Sequence, residues 1–217
     1  MLEELVRQSI DLPSGELRLL QPREAAELPD AGGVEWAPLA PYWAVLWRSG
    51  VALARELDGA ALGGAALRDL RVVELGCGLA TPSIAAARAG AAVLATDACA
   101  EALALVARNA RENDVHVETA TVDWGRPDEL VKRAPFDLVL AADVLYERAS
   151  VAPLLSLLPR LAPEAWLADP GRPAAGAFFE QARRRWRIET LVRGVVQIHR
   201  LRIGRAREVG QAAASAG

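Results

Sequence analysis

Glu74, Gly76, Gly78, Asp97, Asp123 and Asp143 are residues whose types and spacing can do chemistry together. The run Val72-Val73-Glu74-Leu75-Gly76-Cys77-Gly78-Leu79-Ala80 reads as a buried strand, a glycine turn and the start of a helix. Val93-Leu94-Ala95-Thr96-Asp97 is a second apolar run that ends in an acid, and Asp123 and Asp143 close two more. Glycine loops and carboxylates at the C-terminal ends of successive strands form the ligand edge of a doubly wound α/β sheet. A carboxylate placed there accepts hydrogen bonds from hydroxyl or amino groups. A dinucleotide fingerprint needs a further glycine three residues after the second. That position is Thr81, so a dinucleotide is not the expected ligand.

The acid two residues before the first glycine, Glu74, completes a Glu-x-Gly-x-Gly form that points to S-adenosylmethionine. Gly76 and Gly78, flanking Cys77, let backbone approach a ligand where a Cβ would clash. The helix that starts near Thr81 offers partial positive charge for the ligand carboxylate. Asp97, with Ala98 beside it, is placed to accept both ribose hydroxyls. Asp123 is placed to bond the adenine amino group, and Trp124 to cover the ring. Any one of these acids alone reads as a helix cap or a solvated loop residue. Their joint register favours the cofactor.

The elements that position these residues alternate. Glu16 to Leu20 reads as a short strand after the turn Pro13-Ser14-Gly15. Residues 1–40 are expected to form an N-terminal extension, 41–204 a single domain, and 205–217 a disordered tail. A helix is expected from Pro41 to Leu57, with Ala44, Trp47, Val51 and Ala54 at helical spacing. Strands are expected at Arg71–Leu75, Ala92–Thr96, Val115–Val122, Phe136–Ala142 and Ala165–Ala168. Helices are expected from Thr81 as N-cap to Gly90, from Cys99 to Asn113, around Val151 to Leu158, and from Ala174 to Arg185. A hairpin around Gly194 closes the pattern.

A chain of 217 residues, 52% hydrophobic, can bury one full core. A net charge of −3 argues against a nucleic-acid partner. The acidic start Met1-Leu2-Glu3-Glu4 is unlike a basic secretory leader, and no apolar run reaches membrane-spanning length. The two cysteines, Cys77 and Cys99, lie in or beside the proposed ligand loops, where a disulfide is the less favoured reading and a reduced cytoplasmic location the simpler one. His116 and His199 have no second His or Cys at ligand spacing, so no metal is assigned. Trp36 and Trp43 read as core; Trp47 reads equally as core or as a cofactor wall. The run Arg183-Arg184-Arg185-Trp186-Arg187 is read as the solvated end of a helix in preference to a docking patch for an acidic partner.

Four stretches occur in order: Pro41-Tyr42-Trp43-Ala44-Val45-Leu46-Trp47-Arg48-Ser49-Gly50, Val73-Glu74-Leu75-Gly76-Cys77-Gly78, Asp143-Val144-Leu145-Tyr146 and Asp169-Pro170-Gly171-Arg172-Pro173. Together they resemble the seven-β-strand (class I) protein-lysine methyltransferases. Within these, the chain is most similar to the electron-transfer flavoprotein β-subunit lysine methyltransferase and its bacterial relatives. The resemblance runs from about Leu17 to Pro173 and departs at Arg48, where the family has proline, and at Ala80, where it has glycine. It implies a single Rossmann-like α/β domain. The sheet is mostly parallel and seven-stranded, with an antiparallel last strand. It also implies a cofactor pocket roofed near Trp47 and a methyl-transfer site at Asp143 and Tyr146, with Asp143 also touching the cofactor. The expected acceptor is a protein lysine; a small-molecule amine and a non-catalytic binding domain are the alternatives. A monomer is favoured, with no nucleic-acid or membrane partner. Asp143 is expected to orient the acceptor amine. The competing role has Asp143 capping the following helix and Tyr146 packed in the core.

Overall fold

The computed structural model describes residues 4–28, 42–63 and 67–204; Trp36, Pro41 and the expected tail 205–217 lie outside them. Two strands, β1 (Leu5–Leu12) and β2 (Gly15–Pro22), pair antiparallel around the Pro13-Ser14 turn. A short helix α1 (Arg23–Ala26) follows, then a 3-10 turn at Tyr42–Ala44 and helix α2 (Arg48–Leu62). From there strands and helices alternate: β3 (Arg71–Leu75), α3 (Thr81–Arg88), β4 (Ala92–Asp97), α4 (Ala100–Glu112), β5 (Glu118–Thr121), α5 (Asp128–Lys132) and β6 (Leu138–Ala142). A 3-10 turn at Arg148–Ser150 leads into α6 (Val151–Leu161), then β7 (Glu164–Asp169), α7 (Ala175–Ala182), β8 (Trp186–Arg193) and β9 (Val196–Ile203).

β3 to β9 form a seven-stranded sheet in the order β5-β4-β3-β6-β7-β9-β8. The pairs from β5 to β7 are parallel, and β9 runs antiparallel between β7 and β8. This is the expected α/β class, with an antiparallel last strand. The order reverses between β3 and β6, so the loops after these strands diverge and leave a crevice at their C-terminal ends.

Period-two alternation divides the core between the two faces. Val72, Val93, Leu138 and Leu140 face α2, α3 and α4, where they meet Leu53, Leu57, Ile84 and Val106. Val73, Leu75, Leu94 and Val139 face α6 and α7, where they meet Leu154, Leu158 and Phe178. Strands buried on both faces are continuous apolar runs, which is why β3, β4 and β6 stand out in the sequence.

The N-terminal hairpin joins the first of these cores through Ile10, Leu12, Leu17 and Leu19. Its backbone is held from α4. Asn109 accepts from Leu20 N (2.7 Å) and donates to Leu20 O (3.2 Å). Asn113, one turn on, pairs with Arg18 N (3.0 Å) and Arg18 O (2.6 Å). Two amides at i and i+4 thus satisfy part of the open edge of β2. Asp58 of α2 accepts from Ser14 N and Ser14 Oγ at 2.7 and 2.6 Å and fixes the turn.

Several boundaries differ from expectation, among them the helix expected to reach Arg185, which ends at Ala182. The helix expected from Pro41 begins at Arg48, because Trp47 is extended (φ −68°, ψ 135°) and its ring nitrogen donates back to Tyr42 O at 3.1 Å. Thr81 is the first residue of α3 and not its cap; Ala80 takes that place in the left-handed region (φ 59°). The third strand shortens from Val115–Val122 to Glu118–Thr121, because Asp114 at positive φ and the Val115 N to Ala110 O bond carry the chain off α4 first. α6 accommodates Pro153, whose missing N–H falls in the first turn, and contains Pro159.

Candidate functional site

The crevice at the strand ends opens into a cavity of about 480 Å³, within the roughly 300–1,000 Å³ usual for small-molecule sites. The sequence-predicted residues meet there. Glu74, Gly76, Cys77 and Gly78 line it from the β3–α3 turn, and Asp97 and Ala98 from the end of β4. Asp123 and Trp124 follow β5, Asp143 and Tyr146 follow β6, and Trp47 stands at the start of α2. Tyr42, Trp43 and Arg172 also line it, and sequence reasoning did not assign them to the site. Trp43, expected in the core, is half-buried and packs on the cluster of Leu20, Leu79 and Leu105 while facing the cavity.

The glycine turn is built by positive φ at Gly76 (65°), Gly78 (50°) and Ala80 (59°). A Cβ on Gly78 would lie 2.6 Å from the carbonyl oxygen of Trp43. One on Gly76 would lie 3.1 Å from the Trp124 ring and 3.2 Å from Val144. The glycines therefore serve first to let the 3-10 segment and Trp124 close around the cavity, beyond any approach to a ligand. Ala80 shows that a small L-residue tolerates the third such position.

Glu74 turns out to be a structural acid. Its carboxylate accepts from both the backbone N (3.0 Å) and the hydroxyl of Ser83 in the first turn of α3. It occupies the helix N-terminus that the sequence offered to a ligand carboxylate. Burial raises its pKa to about 8, against the lowering effect of the two Ser83 bonds. Glu74 is therefore mostly protonated at neutral pH. Burial likewise pushes the Cys77 thiol up, and both cysteines are free thiols.

Asp97 is held from both sides. Gly78 N donates to its Oδ2 at 3.0 Å and Cys99 N to its Oδ1 at 2.9 Å. Each oxygen keeps capacity for a further hydrogen bond, and the carboxylate lines the cavity. A cis-diol suits that fork. Asp123 is more exposed, and its oxygens accept from Gly125 N (2.8 Å) and Arg126 Nε (3.2 Å). The Gly125 N–H, with help from Arg126, keeps its carboxyl below the usual range. Trp124 is half-buried over Gly76 and offers the apolar face that a flat base needs.

Asp143 departs from the helix-capping alternative. It caps no helix: it sits in the left-handed region (φ 59°) with its N–H bonded to Ala168 O (2.9 Å). Its carboxylate pairs with Arg172 in a two-point contact, Nε to Oδ1 at 2.6 Å and Nη2 to Oδ2 at 3.1 Å. The side chains are 4% and 15% exposed, so the pair is largely withdrawn from water. Ser49 Oγ lies 3.5 Å from Oδ2. The guanidinium is 5.4 Å from the centre of the Trp47 ring. Asp169, the last residue of β7, accepts from Gly171 N (2.7 Å) and Arg172 N (2.8 Å), so the Asp-Pro-Gly-Arg-Pro turn aims Arg172. Gly171 takes the positive φ (92°) that a type II turn requires. Tyr146 is 42% exposed at the rim instead of packed in the core, and partial burial raises its pKa.

The remaining titratable features lie elsewhere. His199 is buried in β9 beside Phe179, and desolvation lowers its pKa to about 4. Among the described residues no group of His, Cys, Asp and Glu could hold a metal ion. No described helix is long and apolar enough to cross a membrane. Arg183, Arg184 and Arg185 follow α7 as an exposed turn.

Comparison with known proteins identifies the family and the fold. The family model for "Lysine methyltransferase" matches residues 42–166. The protein N-lysine methyltransferase METTL21A of Danio rerio is 33% identical over 123 residues, 54% of this chain and 55% of that protein. Its Mus musculus counterpart is 35% identical over the same length, with the same coverage. The chain thus spans about half the length of the curated relatives it matches. Among solved structures, a 16S rRNA N2 G1207 methyltransferase of T. thermophilus, in complex with AdoMet and guanosine, superposes with a TM-score of 0.63 at 15% identity. That match covers 92% of this chain and 51% of the other. Magnesium protoporphyrin IX methyltransferase of Synechocystis with bound SAM superposes with a TM-score of 0.57 at 18% identity, covering 70% and 78%.

Proposed function

This chain belongs to the lysine methyltransferase family, and on that premise we propose that it transfers a methyl group from S-adenosylmethionine to the side-chain amine of a protein lysine. The observation that carries this reading is one cavity that joins the Asp97 fork and the Gly76–Gly78 turn to the Asp143–Arg172 pair and Tyr146. The first half suits the cofactor and the second a cationic acceptor that must become neutral. The first candidate acceptor is the electron-transfer flavoprotein β-subunit. Two free thiols fit a reducing compartment, the cytoplasm.

When bound, S-adenosylmethionine supplies a methyl carbon made electrophilic by the adjoining sulfonium. Asp97 would hold the ribose hydroxyls, and Trp124 with Asp123 the adenine. Trp47 and Tyr42 would exclude water from the reacting end. An unperturbed lysine has a pKa near 10.4, so presenting its neutral form at pH 7 costs about 4.6 kcal/mol. An isolated Asp143 would raise that cost by favouring the ammonium. Arg172 cancels the carboxylate's charge, which leaves Asp143 oxygens able to orient an amine without holding its proton. Desolvation among Trp47, Tyr146 and Tyr42 then lowers the cost further. The proton leaves to solvent at the Tyr146 rim.

Labelled S-adenosylmethionine in size-fractionated cell lysate tests the acceptor class. Label in the protein fraction supports the reading. Label confined to small molecules replaces it with small-amine methylation. No label anywhere, with S-adenosylhomocysteine still raising the melting temperature, replaces it with a non-catalytic binding domain.

A further inference from the structure

The carboxylate at the acceptor end of the cavity already holds a guanidinium, and that guanidinium is the protein's own. Among the described residues four acids line the cavity: Glu74, Asp97, Asp123 and Asp143. Three are engaged elsewhere. Glu74 accepts both Ser83 bonds and is mostly protonated at neutral pH. Asp97 is held by Gly78 N and Cys99 N where the ribose would sit. Asp123 serves Gly125 N and Arg126 Nε where the adenine would sit. Glu147, beside Tyr146, is exposed and lies outside the lining. Asp143 is therefore the lining carboxylate that an acceptor would meet.

A carboxylate offers about four lone-pair directions, two on each oxygen. Arg172 takes one on each, with Nε on Oδ1 at 2.6 Å and Nη2 on Oδ2 at 3.1 Å. This is the two-point fork by which a carboxylate recognises a guanidinium, and here it is filled from within. The occupant is fixed in place. Asp169 accepts from the backbone N–H of both Gly171 and Arg172. Pro170 and Pro173 restrict the backbone on either side. The guanidinium carbon lies 5.4 Å from the centre of the Trp47 ring. What remains on Asp143 is a single direction on each oxygen outside the fork, with Ser49 Oγ 3.5 Å from Oδ2.

Two kinds of acceptor side chain meet this arrangement differently. A neutral lysine amine needs one N–H···O contact to be oriented and keeps its lone pair for the methyl carbon. An arginine needs two parallel contacts for its planar group and finds both taken. It also keeps its charge, because its pKa is about 12.5–13.8 against about 10.4 for lysine. It would stand as a second cation beside Arg172, sharing one carboxylate in a place largely withdrawn from water.

We propose that Arg172 sets the acceptor class: as an internal guanidinium in the Asp143 fork, it excludes arginine side chains and leaves a one-contact slot for an amine. The inference rests on the methyl-transfer reading above and adds to it the residue that chooses between the two cationic side chains. Removing Arg172 turns Asp143 into an open guanidinium fork.

The test is isothermal titration of n-butylguanidine, at matched ionic strength, into protein saturated with S-adenosylhomocysteine. Wild type should show no saturable binding. R172A should bind it saturably, at least about tenfold more tightly than it binds n-butylamine. The double variant D143N/R172A keeps the vacated space without the anion and should lose that binding. R172Q, shorter and uncharged, replaces R172A if the latter does not fold, with the same order expected. A second readout separates acceptor selection from a purely structural ion pair. With labelled S-adenosylmethionine and the lysate protein fraction, n-butylguanidine should inhibit R172A at least about tenfold more strongly than wild type. A structural pair predicts the reverse: the added guanidinium would restore the turnover of R172A. Binding to wild type as tight as to R172A, no binding that depends on Asp143, or restored turnover overturns the proposal. Absence of label from wild type, with the titrations as expected, would instead strike the methyl-transfer reading itself.

Discussion

Removing the charge of Asp143 should destabilise the protein even though the replacement keeps its shape. Asparagine tolerates the left-handed backbone at this position as well as aspartate does, so D143N adds no backbone strain. What it removes is the anion that faces a two-point guanidinium contact at 2.6 and 3.1 Å, with side chains only 4% and 15% exposed. Breaking one partner of a buried pair costs about 3–5 kcal/mol. Arg172 keeps some water and the Trp47 face, which points to the lower end, about 3 kcal/mol. For a chain of this size that is a drop of roughly 6–12 °C in melting temperature. R172Q should cost less, about 2 kcal/mol, because Asp143 retains Ser49 nearby. The double variant should be no worse than D143N alone, giving a coupling of about 2 kcal/mol. Urea unfolding of the four proteins measures it. Additive losses, or D143N within about 0.5 kcal/mol of wild type, would refute a buried pair. In methyl transfer, R172Q should shift the acidic limb of the kcat/KM profile to higher pH. An uncompensated Asp143 then holds the acceptor's proton.

Asp97→Ala should weaken S-adenosylhomocysteine binding about a hundredfold by isothermal titration, because two charge-assisted bonds of about 1.5–3 kcal/mol each are lost; a change within threefold removes the ribose assignment. Asp123→Ala should cost about tenfold or less, since that carboxylate already serves Gly125 and Arg126. Glu74 has a folded pKa of about 8 against an ordinary value of 4.5, so the native state binds the extra proton between these values. Its contribution to stability is complete below pH 4.5 and is lost as pH rises towards 8, by several kcal/mol at most. Glu74→Gln should flatten that part of the pH dependence, and an unchanged slope in chemical denaturation would sink the assignment. Gly78→Ala should lower stability by more than the usual 1–2 kcal/mol for a left-handed L-residue, because its Cβ also meets Trp43 O at 2.6 Å; a melting temperature near wild type would contradict the tight closure of that turn.

The sheet and the site's position were legible because β3, β4 and β6 are buried on both faces and run into the Gly76 turn, Asp97 and Asp143. The N-terminal hairpin was only half legible. β2 carries an apolar inner face, but half of β1 is polar, and the hairpin is held at β2 by Asn109 and Asn113 and at its turn by Asp58, which lie far along the chain. α1 and α5, at four and five residues, are too short to show a period. The start of α2 was misplaced because the apolar spacing continues through Trp47 while its backbone is extended to face the cavity. Glu74 was legible as a site residue but not its partner, although Ser83 in the first turn of the next helix is a natural donor. Arg172 was quoted within a turn yet not assigned to the site. The signal was available: β6 and β7 are neighbours, so residues just past their ends, Asp143 and Arg172, are brought together.

Tandem mass spectrometry of the labelled product tests the central claim most directly. Wild-type protein with labelled S-adenosylmethionine and the electron-transfer flavoprotein β-subunit, or the lysate protein fraction, should give methyl label on lysine side chains, and D97A should give far less at the same cofactor concentration. Label on arginine, on small molecules alone, or at equal yield from D97A would contradict it.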